Sequence, residues 1–376
     1  MTKKEISDED RGKINKLREL VKADLTSYYD TDFNILRWLQ GHSSTSLEDI
    51  AKKLTHHLKL RKSTWQLDEL HKAERNQKIH HHWKYGITGE SKVLENCIVN
   101  VEQCGKTDYS GMMESFSISD VMKARMVDLE QMLNQVMKKE EETGKQAWIL
   151  YVMDVSGLEF NKKLYELVTG SMRALAEFMA EHYVEMIKFF VPVCVPNFAC
   201  KLYVLVRPLL PEKTKDKVRL IAESNWRDTI LEYADVDSLP SIWNDENHQF
   251  FSKLELPVPY PIDGYYSAKK EVIPENAERI NVVAGKVHVS KIFRDRNYGF
   301  GCFTSEKEDV QDYYLADQVT PMFPWMPITL VPLNDSIAVK KNAYYHLWVS
   351  NQRAWWFPLT VTLSISVEEN EAEEAV

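Results

Sequence analysis

Three groups of residues in this chain have the types and spacing that chemistry asks for. Cys104-Gly105-Lys106-Thr107 has the ending of a phosphate-binding loop. Such a loop also needs a glycine five residues before Gly105, so that backbone N–H groups can wrap a phosphate; that position is Asn100, and nucleotide binding is not expected. His80, His81 and His82 are metal-type ligands in a row, with His56, His57 and His71 upstream. Neighbours on a helix point about 100° apart, so consecutive imidazoles cannot converge on one ion. A solvated helix face is the expectation for all of them. Cys194 and Cys200 are read as buried thiols. GxSxG, HExxH and CxxC patterns are absent from the sequence, so no catalytic acid, base and nucleophile come together and no metal or enzyme activity is expected.

Two apolar features suggest a different kind of chemistry. Met112, Met113, Met122, Met126, Met132 and Met137 cluster around one predicted helix. They are core packing, or a plastic wall that tolerates ligands of varied shape. The stretch FACKLYVLVRPLLPE, Phe198 to Glu212, carries charge only at Lys201 and Arg207 before Leu210. A surface helix shows a polar stripe; this one has none and needs an apolar partner.

The elements that must hold these residues follow from pattern. Up to about Glu74 the chain reads as short helices: Asp32 can cap FNILRWLQ, with Phe33, Leu36 and Leu39 on one face and Gly41 as the stop, and Ser46 with Asp49 forms a capping box. From Cys97 onward, strands CIVNVEQ, QAWILYVMD, IKFFVPV and KVRLIAE alternate with helices. One of these is a long helix from Ser119 to Glu142, started by Ser119 or Asp120 and ended by Gly144. Strands that are apolar throughout and alternate with helices imply a mostly parallel, doubly covered sheet. LPVPYPIDG reads as a stiff linker. INVVAGKVHVSKIF, YGFGCF, ITLVP, SIAV, YYHLWVS and LTVTLSISV then read as an antiparallel sandwich, and EENEAEEAV as an acidic tail.

The net charge of −9 over 376 residues argues against nucleic-acid binding. The first residues, MTKKEISDEDRGK, do not have the form of a secretion signal, no apolar run reaches the roughly 20 residues that span a bilayer, and the five cysteines have no paired spacing. These features predict a cytoplasmic protein with reduced thiols.

Taken in order, these segments resemble the Sec14-like, CRAL-TRIO lipid-binding family. The resemblance is carried by DFNILRWLQGHS, by Asp154 with Gly157, by Glu181-His182-Tyr183-Val184-Glu185 where the family has "NYPE", and by Arg207-Pro208-Leu209-Leu210. The terminal WWFPLTVTLSISV resembles a GOLD domain, a pairing typical of the supernatant protein factor subgroup. The resemblance implies an N-terminal helical bundle (residues 1–75), an α/β lipid-binding domain (76–255), a linker (256–273), an all-β GOLD-like sandwich (274–367) and a tail (368–376).

It also implies a function: a carrier or sensor that holds a phospholipid, or a tocopherol-, retinoid- or sterol-like molecule, in a gated pocket and exchanges it at a membrane surface. The alternative is a protein-interaction adaptor that works through the GOLD-like domain. Phe198, Leu202, Leu205, Val206 and Leu209 would form the gate. The family's phosphoinositide headgroup site falls on His42, Ser43, Glu185, Thr214 and Lys217. Two early basic positions are replaced by His42 and Ser43, which weakens phosphatidylinositol recognition because histidine cannot reproduce arginine's bidentate phosphate contact. The family's phosphatidylcholine positions fall on Ile149 and Tyr151, which makes the pocket more apolar. After Pro240 the family's Gly-Gly turn is replaced by Asn244-Asp245, residues that tolerate left-handed backbone.

Overall fold

A computed structural model describes residues 6–159, 171–206, 215–266, 278–282, 287–289, 298–308, 310, 312–326, 331–333, 337, 342–352, 359–363 and 365. The chain opens with helices α1 (Asp8–Val21), α2 (Asp32–Gly41), α3 (Leu47–Arg61), α4 (Leu67–Leu70) and α5 (Gln77–His80). The Ser46/Asp49 capping box forms as expected, with the Asp49 N–H donating to Ser46 Oγ at 3.1 Å and Ser46 Oγ–H donating to Asp49 Oδ2 at 2.8 Å. In α2 the cap is Thr31 rather than Asp32: its hydroxyl accepts from the Asn34 N–H at 3.1 Å, and Asp32 becomes the first helical residue, where its charge favours the helix N-terminus.

The central sheet has the order β1 (Tyr85–Ser91), β2 (Cys97–Glu102), β3 (Trp148–Asp154), β4 (Ile187–Val193). β1 runs antiparallel to β2, whereas β2–β3 and β3–β4 are parallel. Parallel neighbours need a crossover. The first crossover holds α6 (Tyr109–Ser115) and the long α7 (Ile118–Thr143), and the second holds α8 (Ser171–His182). α7 is capped by Ser117, not Ser119 or Asp120; Ser119 and Asp120 fall inside its first turn, and the Asp120 N–H donates back to Ser117 Oγ at 3.2 Å. Gly144 ends it with φ 64°, the left-handed cap that glycine adopts without strain.

KVRLIAE lies beside β4 in parallel, but only through separate bridges, Phe190↔Val218 and Val195↔Ala222. Pro192 lies between these positions and has no N–H to complete the ladder. Beyond β4, α9 (Asn197–Val206) begins the apolar stretch, and α10 (Trp226–Ile230) follows KVRLIAE. In α9, Ala199 and Cys200 pack against a small core of Cys104, Val155 and Val195, and Lys201 is exposed. The turn after Pro240 is a 3-10 turn, Ser241–Trp243. Neither Asn244 nor Asp245 needs positive φ. Their carboxamide and carboxylate instead accept backbone N–H bonds from Phe250 (2.6 Å) and from Asn247 and His248 (2.9 and 2.8 Å).

β2 is buried along its whole length, as a covered parallel strand should be. Cys97, Val99 and Val101 face a core with Leu150, Val152, Val191, Trp226 and Trp243. Ile98 on the other face joins the core shared by α7, α8 and the N-terminal helices.

Two ion pairs with no solvent access worth the name tie those helices to α7. Arg61 donates to both oxygens of Glu130 (3.0 and 2.8 Å), and Arg37 pairs with Glu140. The LPVPYPIDG segment is pinned to the body rather than spanning free space: Tyr260 stacks on His82 at 3.8 Å between ring centres, and its N–H donates to Asp108 at 3.3 Å.

The C-terminal part holds two antiparallel sheets, β5 (Glu278–Val282) with β10 (Leu359–Leu363), and β6 (Val287–Val289), β9 (Tyr344–Ser350), β7 (Tyr298–Ser305), β8 (Asp317–Met326) in that order. The expected strand ITLVP lies largely outside the described residues, as does SIAV. Edge strand β8 abuts the end of α3, where Thr64 donates its N–H (2.9 Å) and its hydroxyl (2.7 Å) to Val319 O. Covering an edge in this way keeps it from pairing with another chain.

Candidate functional site

A cavity of about 330 Å³ lies against the inner face of β3 and β4, walled by α7 and α8. Tyr151, Met153, Ile187 and Phe190 form its sheet side, and Ile118, Val121, Met122, Leu175 and Met179 its helical side. Of the clustered methionines, Met112 and Met122 line it, whereas Met126 and Met132 are core. The flexible thioethers of Met112, Met122, Met153 and Met179 make a wall that adapts to shape.

The polar lining falls into two groups. In the first, Lys217 Nζ donates to Glu185 Oε2 at 2.9 Å, each side chain keeping about one fifth of its surface exposed (23% and 21%). His42 lines the cavity with them. α2 ends here because Gly41 lets its backbone reach the 184–185 corner: a Cβ on Gly41 would stand 2.0 Å from Val184 Cγ1. At that corner Glu185 takes φ 54°, a conformation that costs a non-glycine residue about 1 kcal/mol or more. Three of the five expected headgroup residues, His42, Glu185 and Lys217, thus come together. Ser43 is exposed and outside the described lining, and Thr214 lies outside the described residues.

The second group is buried. Glu102, at the end of β2, accepts from Trp83 Nε1 (2.7 Å), Tyr109 Oη (3.2 Å) and Tyr151 Oη. Arg125, projecting from α7, donates through Nη2 to Tyr151 Oη at 2.6 Å, and its guanidinium lies over the Tyr85, Tyr151 and Trp83 rings at 4.8, 5.4 and 5.6 Å. Burial pushes the Tyr151 phenol well above its ordinary pKa, opposed in part by Arg125. Burial alone would lower the Arg125 guanidinium, but Tyr151 and Glu102 outweigh it and hold the charge in place.

Of the residues expected in the pocket and gate, Tyr151 lines the cavity, with its hydroxyl already committed to Glu102 and Arg125. Ile149 is wholly buried in the adjoining core and Phe198 is half-buried. The side chains of Leu202, Leu205 and Val206, and all of Leu209, lie outside the described residues.

The histidines and cysteines depart from expectation. His56, His57 and His80 are buried, because α3 and α5 turn these faces inward onto α7, α8 and β8. His80 pairs with Asp128 at 2.6 Å. Among the described residues, His56, Glu181 and His182 bring ligand-type atoms within 4.8 Å of one another. All five cysteines are free, and Cys194 and Cys200 are half-buried rather than buried, since they flank the solvent-facing start of α9. The loop-like Cys104–Thr107 segment is structural: Gly105 packs so closely on the Asp154–Ser156 backbone that a Cβ would stand 2.2 Å from Ser156 O.

Residues 83–244, which contain the sheet, α7, α8 and nearly all of the cavity lining, match the CRAL/TRIO domain. This stretch is similar to a CRAL/TRIO domain. Residues 6–70 match a domain of unknown function, and residues 268–375 match the C-terminal domain of F28H7.8-like proteins. The chain is 24% identical over 383 residues to CRAL-TRIO domain-containing protein F28H7.8 of Caenorhabditis elegans, covering 96% of this chain and 91% of that protein. It is 19% identical to protein ctg-1 of the same organism, covering 90% and 92%. The crystal structure of Sfh5 is similar over 61% of this chain and 84% of its own, with 13% identity and a TM-score of 0.46. No helix among the described residues is long and apolar enough to cross a membrane.

Sequence reasoning overlooked the buried polar group of this cavity. A signal was present: Ile118, Met122, Arg125, Leu129 and Met132 recur at helical spacing, and Arg125 is the one charge in that stripe.

Proposed function

We propose that this protein is a carrier or sensor that binds a hydrophobic ligand in the CRAL/TRIO cavity and exchanges it at membrane surfaces. Proteins with this domain are typically lipid-binding or lipid-transfer proteins. The observation that carries the reading is the cavity itself: about 330 Å³, walled mostly by methionine, aromatic and aliphatic side chains, with two groups of polar side chains among the described residues. That volume falls in the range of small-molecule sites, roughly 300–1,000 Å³. Each buried CH₂ contributes about 0.8 kcal/mol, so a chain of roughly 16 carbons would escape into water at a cost of about 13 kcal/mol. Release therefore requires a membrane and an opening, and the apolar segment from Phe198 to Leu210 is the element we assign to the gate.

His42, Glu185 and Lys217, with Thr214, are assigned to headgroup contact. A lysine there suits a phosphate oxygen and Glu185 suits inositol hydroxyls, with phosphatidylinositol recognition weakened by the absence of an early arginine. The C-terminal antiparallel sheets are assigned to a GOLD-like sandwich of the supernatant protein factor type, acting in the cytoplasm as a site for a protein partner. Native mass spectrometry of protein purified from eukaryotic cells tests the reading. A copurified lipid supports it. Protein that is empty in every preparation and takes up no lipid from vesicles overturns it in favour of an adaptor role.

A further inference from the structure

The buried polar group raises a question that an apolar cavity alone does not answer. Arg125 is 2% exposed and lines the cavity, yet its Nε and Nη1 groups make no hydrogen bond among the described residues. A buried donor without a partner costs roughly 1–3 kcal/mol, more when charged. The imbalance is local. Glu102 accepts from three donors, Trp83, Tyr109 and Tyr151, while the guanidinium gives, both through Nη2, one hydrogen bond to a phenol oxygen and a long one to Met179 Sδ at 3.9 Å, and otherwise meets ring faces. Cation–π contact offsets part of the deficit, but it leaves the N–H groups unused. Among the described residues nothing accepts from these N–H groups, and Arg125 lines the cavity, so an acceptor can come from whatever fills it.

We propose that Arg125 binds a carbonyl-type oxygen, carboxylate or ester, at the polar end of an otherwise apolar ligand. The inference rests on the cavity being a ligand site, and it narrows the ligand class. A pure hydrocarbon would leave the guanidinium unpaired. A cationic headgroup would be repelled by it. An oxygen acceptor completes the network without displacing the Glu102 donors. Methionines 112, 122 and 179 then pack the chain that trails from that oxygen.

The test uses delipidated full-length protein and three probes with the same chain: palmitic acid, methyl palmitate and hexadecane. Dissociation constants are measured for wild type, Arg125→Met and Arg125→Lys. A hydrogen bond to a charged group contributes about 1.5–3 kcal/mol, so an oxygenated probe should bind about 10- to 100-fold more tightly than hexadecane. Arg125→Met should erase that gap while hexadecane binds as well or better, and Arg125→Lys should keep part of it. The acid and the ester separate the two sources of the oxygen: preference for either supports the proposal and says whether charge is wanted. If hexadecane binds wild type as tightly as both oxygenated probes, the cavity reading survives and the role of Arg125 is overturned. The same follows if the gap persists in Arg125→Met. The wild-type comparison stands even if a variant does not fold. If none of the probes binds, the cavity reading itself fails.

Discussion

Lys217 and Glu185 form an ion pair of 2.9 Å on the cavity wall, and the glutamate reaches it from a left-handed backbone position. A residue held at φ 54° persists only where its surroundings over-determine it. Both side chains are partly exposed, so the pair contributes little to stability, about 0–1 kcal/mol. Lys217→Ala should therefore leave the urea midpoint nearly unchanged. It should lower phosphatidylinositol transfer between vesicles, because a lysine proposed to meet a phosphate there is removed. Unaltered transfer would take Lys217 out of the headgroup site.

Gly41 is sensitive to a single methyl group. A Cβ there would meet Val184 Cγ1 at 2.0 Å, and a branched valine on a strained corner has little room to retreat. Alanine improves helix propensity by up to about 1 kcal/mol, but forced overpacking costs typically about 1–3 kcal/mol. Gly41→Ala should lower the melting temperature, and adding Val184→Ala should restore much of the loss through direct coupling. Independent, additive effects of the two substitutions would show that this contact does not exist.

Arg61 and Glu130 have no side-chain exposure, 0% and 0%. Breaking a buried pair from one side strands the other charge and typically costs about 3–5 kcal/mol. Tyr183 donates to the same carboxylate at 2.8 Å, which ties α8 into the joint. Arg61→Ala should lower the urea midpoint sharply, whereas Arg61→Met combined with Glu130→Met should recover most of it. A small effect from Arg61→Ala would mean that water reaches the pair.

How far these features were legible depends on whether the deciding force is local. Gly144 as a helix stop and the Ser46/Asp49 box rest on neighbouring residues, and both were readable. So was β3, because WILYVMD is apolar on both faces. Ser117 was missed in favour of Ser119 or Asp120 since all three could cap, and only the backbone decides. His57 and His80 were misplaced because a polar residue in a helix reads as exposed unless its partner, far along the chain, is known. His42, Glu185 and Lys217 were named from a family pattern, yet their meeting depends on Gly41, whose role no helical periodicity reveals.

The buried histidines make the protein acid-sensitive in a definite range. His57 Nδ1 lies 3.3 Å from His182 Nδ1, so one ring must donate and the other accept, and protonating both would set two N–H groups against each other. Burial pushes both imidazoles well below the ordinary value of 6.5, with Arg61 adding to the effect at His57 and His56 at both. Burial also lowers His56, with partial compensation from the Tyr314 carbonyl. Below 6.5 the unfolded chain takes up protons that the folded chain refuses, so stability falls as pH drops, by up to about 1.4 kcal/mol per pH unit for each histidine. Above 6.5 both states are neutral at these sites and the dependence disappears. Urea midpoints measured from roughly pH 8 down to 5 should be flat and then decline, and His182→Gln should shallow the decline. An unchanged slope in that variant would assign the acid sensitivity to other groups.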